Sequence, residues 1–258
     1  MEAKSKIGII LQARVGSTRM PGKMILPFHD GKGVLELLLQ RMEARFAGRE
    51  NVVLLVATTV NPLDDAIAAI AEKSGVPLFR GSEEDVLKRF VDAATYAETE
   101  RLIRVCADNP FLDIDAIEVL LRRIGRQHHD YIAFATSDGT PSIKTHYGFW
   151  PEAVRLDALT RVAGATTKRI YREHVTNYIY TYPDGFDLDL IPIDREIEEK
   201  PNIRLTLDTP EDFEMQQAIY ARCLEKYGKI ETRLVLQILD AFPGFYEQMK
   251  RQIGLNTK

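Results

Sequence analysis

The sequence predicts an α/β fold, a mostly parallel sheet sandwiched by helices, and three features carry that expectation. Short apolar runs recur between Ile7 and Val105, and they alternate with segments whose apolar residues return at helical spacing. The runs are continuous, as in strands covered on both faces, and do not alternate apolar with polar. A chain of 258 residues with 45% hydrophobic content can also bury a sizeable core and suits one large α/β domain.

The elements follow in order. Ile7–Leu11 is a buried first strand, followed by a glycine- and arginine-rich loop from Gln12 to Lys23. Val34, Leu35, Leu38, Leu39, Met42 and Phe46 mark an amphipathic helix. Val52–Ala57 is a second strand, closed by Thr58 and Thr59. Asn61-Pro62 starts a helix that runs to Ile70, with Asn61 as its cap. Val76–Phe79 is a third strand, and Ser82 with Asp85 forms a capping-box-like start to the next helix. Leu102–Val105 is a fourth strand, ending in Ala107-Asp108-Asn109-Pro110. In such sheets ligands bind at the carboxyl ends of the strands. The loops at Arg14–Lys23, Thr58–Asp65, Arg80–Asp85 and Asp108–Pro110 are therefore expected to converge on one cleft.

Beyond about residue 135 the rhythm changes. Ser137 to His146 reads as a polar surface excursion or flap. Helices are expected from Arg155 to Val162, Arg169 to Tyr180 and Glu211 to Tyr227. Asp187–Ile193 reads as a half-exposed strand, and Ile203–Leu207 as another that ends in Asp208-Thr209-Pro210. No repeat or linker divides the chain, so residues 1–258 are taken as one domain, with 137–195 as an acceptor or dimerisation subregion.

Composition narrows the function. A net charge of −4 with 28% charged residues argues against general nucleic-acid or anionic-membrane binding. Two cysteines, Cys106 and Cys223, do not make a disulfide framework, and no stretch is long enough for a bilayer span. A cytoplasmic setting is expected.

The loop Gln12-Ala13-Arg14-Val15-Gly16-Ser17-Thr18-Arg19-Met20-Pro21-Gly22-Lys23 offers two arginines, a lysine, two hydroxyls and two glycines directly after a strand. Glycines let backbone N–H groups approach a ligand, arginine matches phosphate oxygens two at a time, and lysine adds a point charge. The spacing is not that of a Walker A loop, and Met24 stands where a magnesium-binding hydroxyl would be needed. The bland alternative is a solvated basic loop. Asp108 and Asp208 each end an apolar run just before a proline, so two carboxylates distant in sequence can face one magnesium ion. Each could instead cap a helix. His174 is a possible proton shuttle or a structural residue, and Glu173 could pair with Arg169. Lys144 could meet an acceptor's carboxylate or phosphate, or remain a solvated lysine.

The basic loop resembles the signature of the CTP-using sugar nucleotidyltransferases, the acylneuraminate and 3-deoxy-manno-octulosonate cytidylyltransferases, and above all their SpsF-like relatives. The resemblance continues through Arg80-Gly81-Ser82-Glu83-Glu84-Asp85-Val86-Leu87, Arg104-Val105-Cys106-Ala107-Asp108-Asn109-Pro110, Arg172-Glu173-His174-Val175-Thr176 and Arg204-Leu205-Thr206-Leu207-Asp208-Thr209-Pro210-Glu211-Asp212-Phe213. It implies a Rossmann-like nucleotide-diphospho-sugar transferase fold, with CTP over the first strands and Mg2+ on Asp108 and Asp208. It also implies catalytic roles for Arg14, Arg19 and Lys23. Gln12, Ala13, Gly16, Ser17, Thr58, Thr59, Arg80 and Asp85 would then face the nucleotide. Lys144, Glu173 and His174 would face an acidic sugar or sugar phosphate, and a homodimer is plausible by analogy. Asn109 stands where SpsF-like chains have Cys, and His146-Tyr147-Gly148-Phe149-Trp150 replaces their usual Pro-Arg-Gly pattern, which points to unusual acceptor chemistry. The competing readings are a GTP-using enzyme, a glycosyltransferase built on Asp187-Leu188-Asp189, and an inactive nucleotide-binding subunit.

Overall fold

The computed structural model describes residues 6–256, so Met1–Ser5 and the last two residues lie outside it. Seven strands form one sheet: β1 (Ile7–Gln12), β2 (Val52–Thr59), β3 (Leu78–Gly81), β4 (Arg101–Cys106), β5 (Tyr131–Ala135), β6 (Glu152–Arg155) and β7 (Leu188–Pro192). Their order is β3-β2-β1-β4-β6-β5-β7. All neighbours run parallel except β6, which is antiparallel to both β4 and β5.

The continuous apolar runs follow from burial on both faces. Ile9 and Leu11 of β1 join one core cluster, packed with α1 (Val34–Phe46), α2 (Asp65–Lys73) and α4 (Ile114–Ile124). Ile10, between them, joins the opposite cluster beneath α3 (Val86–Tyr96) and α5 (Leu156–Ala165). Burial of a side chain such as Leu11 or Ile10 is worth about 1.5–3 kcal/mol. That strongly opposes a one-residue slip of the central strand, which would exchange the two faces.

The topology places the site. The chain runs outward from β1 to β2 to β3, then returns to lay β4 on the other side of β1. The segments leaving β1 and β4 lie side by side at the carboxyl ends of these strands and line one crevice there. Gln12 and Cys106, the last residues of these strands, are register partners at its floor.

Several expectations change. The run Ile203–Leu207 is buried but is not a strand of the sheet. It is an extended core segment whose Leu205 N–H donates to the His146 carbonyl (2.8 Å) and whose Leu207 N–H donates to the Asp108 carbonyl (3.1 Å). The expected helix over 169–180 is two short helices, α6 (Arg169–Glu173) and α7 (Asn177–Thr181). The break falls where the Thr176 hydroxyl turns inward to Glu152 (2.9 Å). The stretch 137–146 is a surface excursion, exposed at Ser137, Asp138, Gly139 and Lys144, and pinned at its middle. Pro141 bridges Ala135, and Ser142–Lys144 forms a single 3-10 turn with Ser142 buried. Asp85, and not Ser82, is the N-cap of α3, while the Ser82 hydroxyl accepts the Asp85 N–H. The chain continues through α8 (Arg195–Glu198), α9 (Pro210–Tyr227), α10 (Thr232–Ala241) and α11 (Gly244–Leu255). Among the described residues no helix is long and apolar enough to cross a membrane.

Candidate active site

A cleft of about 610 Å³ opens at the carboxyl ends of β1 and β4. Ten residues expected from sequence line it: Gln12, Arg14, Ser17, Arg19, Lys23, Asp108, Lys144, Glu173, His174 and Asp208. The geometry is tightest around Lys23, whose side chain is only 8% exposed. Its ammonium donates to Asp108 Oδ2 at 2.9 Å and to the Leu207 carbonyl at 2.5 Å, and lies 3.5 Å from Asp208 Oδ1. Burial by itself would lower the Lys23 pKa. The charges and hydrogen bonds of Asp108 and Asp208 outweigh burial and hold it above the ordinary value, so the ammonium stays charged. Arg19 reaches Asp208 Oδ1 at 3.1 Å and Asn256 at 3.4 Å.

Local structure explains why Lys23 points inward. Gly22 takes a positive φ of 73°, which a glycine adopts without cost. Its N–H returns to the Val15 carbonyl (3.0 Å), and its own carbonyl accepts from Ile25 (2.8 Å). Met24 and Phe28 then bury themselves in the core and pin the loop. From the other side, Asp64 accepts the Val15 N–H (2.7 Å) on one oxygen and the Thr59 N–H (3.2 Å) on the other. Asp64 is 2% exposed and has no periodicity or motif to mark it, so sequence reading passes over it.

The helix-capping alternatives for the two aspartates are resolved by their neighbours. Thr209 caps α9 in a reciprocal pair with Asp212, and Asp113 caps α4. Asp208 and Asp108 are left to face the cleft. Asp208 Oδ2 is bound by Arg204 (3.3 Å) and Thr206 (3.3 Å), while Oδ1 faces Arg19 and Lys23. Arg204 is fully buried, and its Nε and Nη2 grip Asp212 at 2.8 and 2.7 Å. His146 Nδ1 lies 2.8 Å from its remaining nitrogen.

Six expected residues do not line the cleft. Ala13, Thr58 and Thr59 are fully buried, and Thr59 is bonded to Asp64. Gly16 sits beside Glu83. Arg80 pairs with Asp65 (2.6 Å), and Asp85 caps α3 and meets Arg172 (3.3 Å). These residues support the loops that flank the cleft. Glu173 lies 3.8 Å from Arg169, an exposed pair worth little. Lys144 lies over the Tyr180 ring at 5.7 Å. Asp189 of β7 is occupied by Arg123 (3.0 Å) and Asp187, just before that strand, by His129 (3.0 Å), both away from the cleft, which removes the structural basis for the Asp-X-Asp reading. Sequence reading assigned no role in the site to Arg104, Cys106, Trp150 or Tyr180, which also line the cleft.

The chain is similar to known proteins over most of its length. A family model described as cytidylyltransferase matches residues 8–248. The chain is 32% identical over 228 residues to the spore coat polysaccharide biosynthesis protein SpsF of Bacillus subtilis, covering 88% of this chain and 91% of that one. It is 29% identical over 123 residues to a 3-deoxy-manno-octulosonate cytidylyltransferase of Agrobacterium fabrum, covering 45% of each. A solved cytidylyltransferase from Leptospira borgpetersenii superposes with a TM-score of 0.79 at 28% identity, over 94% of this chain and 97% of that one.

Proposed function

The chain belongs to the cytidylyltransferase family, and from that premise we propose that it transfers CMP from CTP to an acidic sugar acceptor, releasing pyrophosphate. The observation that carries this reading is the meeting of Arg14, Arg19 and Lys23 with Asp108 and Asp208 around one cleft at the carboxyl ends of β1 and β4. The similarity to SpsF points to use of the product in a surface polysaccharide.

In the reaction an acceptor oxygen attacks the α-phosphorus of CTP. A new oxygen–phosphorus bond forms as the bond to the β-phosphate bridging oxygen breaks, and the acceptor's proton leaves to a base. Arg14, Arg19 and Lys23 hold the triphosphate and stabilise the departing pyrophosphate, because guanidinium and ammonium groups in a partly desolvated cleft neutralise charge as it develops. His174, on the acceptor side, is the candidate to take the proton.

The donor set at Asp108 and Asp208 fits magnesium. Two hard carboxylate oxygens already converge on one cation, the Lys23 ammonium, and among the described residues no third acidic or imidazole group joins them. That suits an ion that keeps phosphate and water in its remaining positions. Bound there, magnesium would neutralise phosphate charge and lower the pKa of an attacking hydroxyl. The test is a matrix of nucleoside triphosphates against sugar acids and sugar phosphates, with magnesium, read by pyrophosphate release. Release that needs both CTP and a sugar acid is expected; release with GTP and a sugar phosphate alone would overturn the reading.

A further inference from the structure

Gln12 ends β1 at the seam between β1 and β4, half-buried, with its side chain in the cleft. Its Oε1 accepts from Arg104 Nη2 at 3.2 Å. A guanidinium carries only donors, so the carboxamide atom facing it must be the oxygen. The orientation of the amide is thereby fixed, and its NH2 is turned from Arg104. Among the described residues that NH2 has no protein acceptor.

Arg104 is itself clamped. It is 7% exposed and donates through Nη1 to Glu152 Oε1 at 2.7 Å. Glu152, 2% exposed, also accepts from the Tyr131 hydroxyl at 2.5 Å and the Thr176 hydroxyl at 2.9 Å. A continuous chain of bonds thus runs from Gln12 through Arg104 and Glu152 to Thr176, which closes the turn after His174. This chain leads away from β2 and β3 towards the 170s segment. Arg104 Nε has no partner among the described residues, and Lys144 lines the same part of the cleft. Glu152 balances the charge of Arg104, so the cation on this side of the cleft is Lys144, and a cation favours an anionic oxygen over a neutral one.

We propose that Gln12 reads the acceptor and not the nucleotide: its carboxamide NH2, locked by Arg104 and Glu152, donates to the carboxylate oxygen of a sugar acid. Gln12 determines acceptor specificity, and Arg104 and Glu152 are positioning residues. This rests on the cytidylyltransferase reading above.

The decisive variant is Gln12→Glu. It keeps the shape and strengthens the bond from Arg104, but replaces the donor with a negative charge. Wild type and variant are titrated calorimetrically, with magnesium, first with CTP and then with 3-deoxy-manno-octulosonate and with N-acetylneuraminate. The expected result is an unchanged or higher melting temperature, CTP affinity within about twofold, and affinity for the bound sugar acid lowered at least about tenfold. Equal sugar-acid affinity in both proteins would overturn the inference. So would loss of CTP affinity with sugar-acid affinity kept, or a wild type that binds CTP but neither acid. A wild type that binds no CTP would instead refute the proposed function, and this inference with it.

Discussion

Replacing Asp212 with alanine tests whether the most deeply buried ion pair among the described residues serves the cleft. Arg204 and Asp212 are both fully buried, and two hydrogen bonds of 2.8 and 2.7 Å join them. Asp212 also accepts the backbone N–H groups of Asp208 (3.1 Å) and Thr209 (3.0 Å). Removing its carboxylate leaves a buried guanidinium with only His146 and a 3.3 Å contact to Asp208. An orphaned buried charge of this kind costs about 3–5 kcal/mol. For a chain of this size each kcal/mol lowers the melting temperature by about 2–4 °C, so a fall of roughly 6–20 °C is expected. Thermal and urea unfolding followed by circular dichroism would measure it, and pyrophosphate release well below the new midpoint would report on the site. Turnover should fall as well, because Asp208 loses the backbone anchor that sets its carboxylate towards Lys23. The double variant Arg204→Met/Asp212→Leu removes both charges, and most of the stability should return while turnover stays low. A single-variant loss below about 1 kcal/mol would refute the reasoning. So would a double variant no more stable than the single one.

Three further outcomes follow from the same geometry. Arg19→Ala should lower kcat/KM by about 10²–10³-fold with a nearly unchanged melting temperature, since its side chain is 53% exposed and its ion pair adds little to stability; wild-type pyrophosphate release would remove Arg19 from the mechanism. Gly148→Ala should cost about 3 kcal/mol or more, because φ is +71° and the new Cβ would stand 2.6 Å from the Leu205 carbonyl oxygen; urea unfolding within about 1 kcal/mol of wild type would contradict that clash. Glu118 receives hydrogen bonds from Arg49 and Arg45, and these, with their charges, overcome burial and hold its carboxyl below the usual 4.5. A depressed folded-state pKa gives stability that is present above about 4.5 and lost as pH falls through the folded value. Glu118→Gln should therefore be about 1–2 kcal/mol less stable at pH 7, with the gap closing in acid, and a pH-independent gap would exclude the linkage.

The amino-acid sequence by itself determined what periodicity and local chemistry can encode. Apolar runs at Ile7–Leu11, Val52–Ala57 and Leu102–Val105 marked the central strands, because burial on both faces leaves no room for polar residues. A basic loop after β1 and aspartates before prolines pointed to residues that line the cleft, because the proposed phosphate and metal chemistry would need such groups. What the tertiary structure decided was everything set by partners distant in the chain. Ile203–Leu207 has the composition of a strand, yet it lies beside His146 and Asp108 and not in the sheet. Glu152 received no reading in sequence and is the buried acceptor for Arg104, Tyr131 and Thr176. Thr58 and Thr59 sit at a strand end as a binding pair would, but their hydroxyls are enclosed under the loop that Asp64 holds. Such outcomes depend on which polar group finds a partner once water is excluded, and that balance exists only after the strands have been brought together.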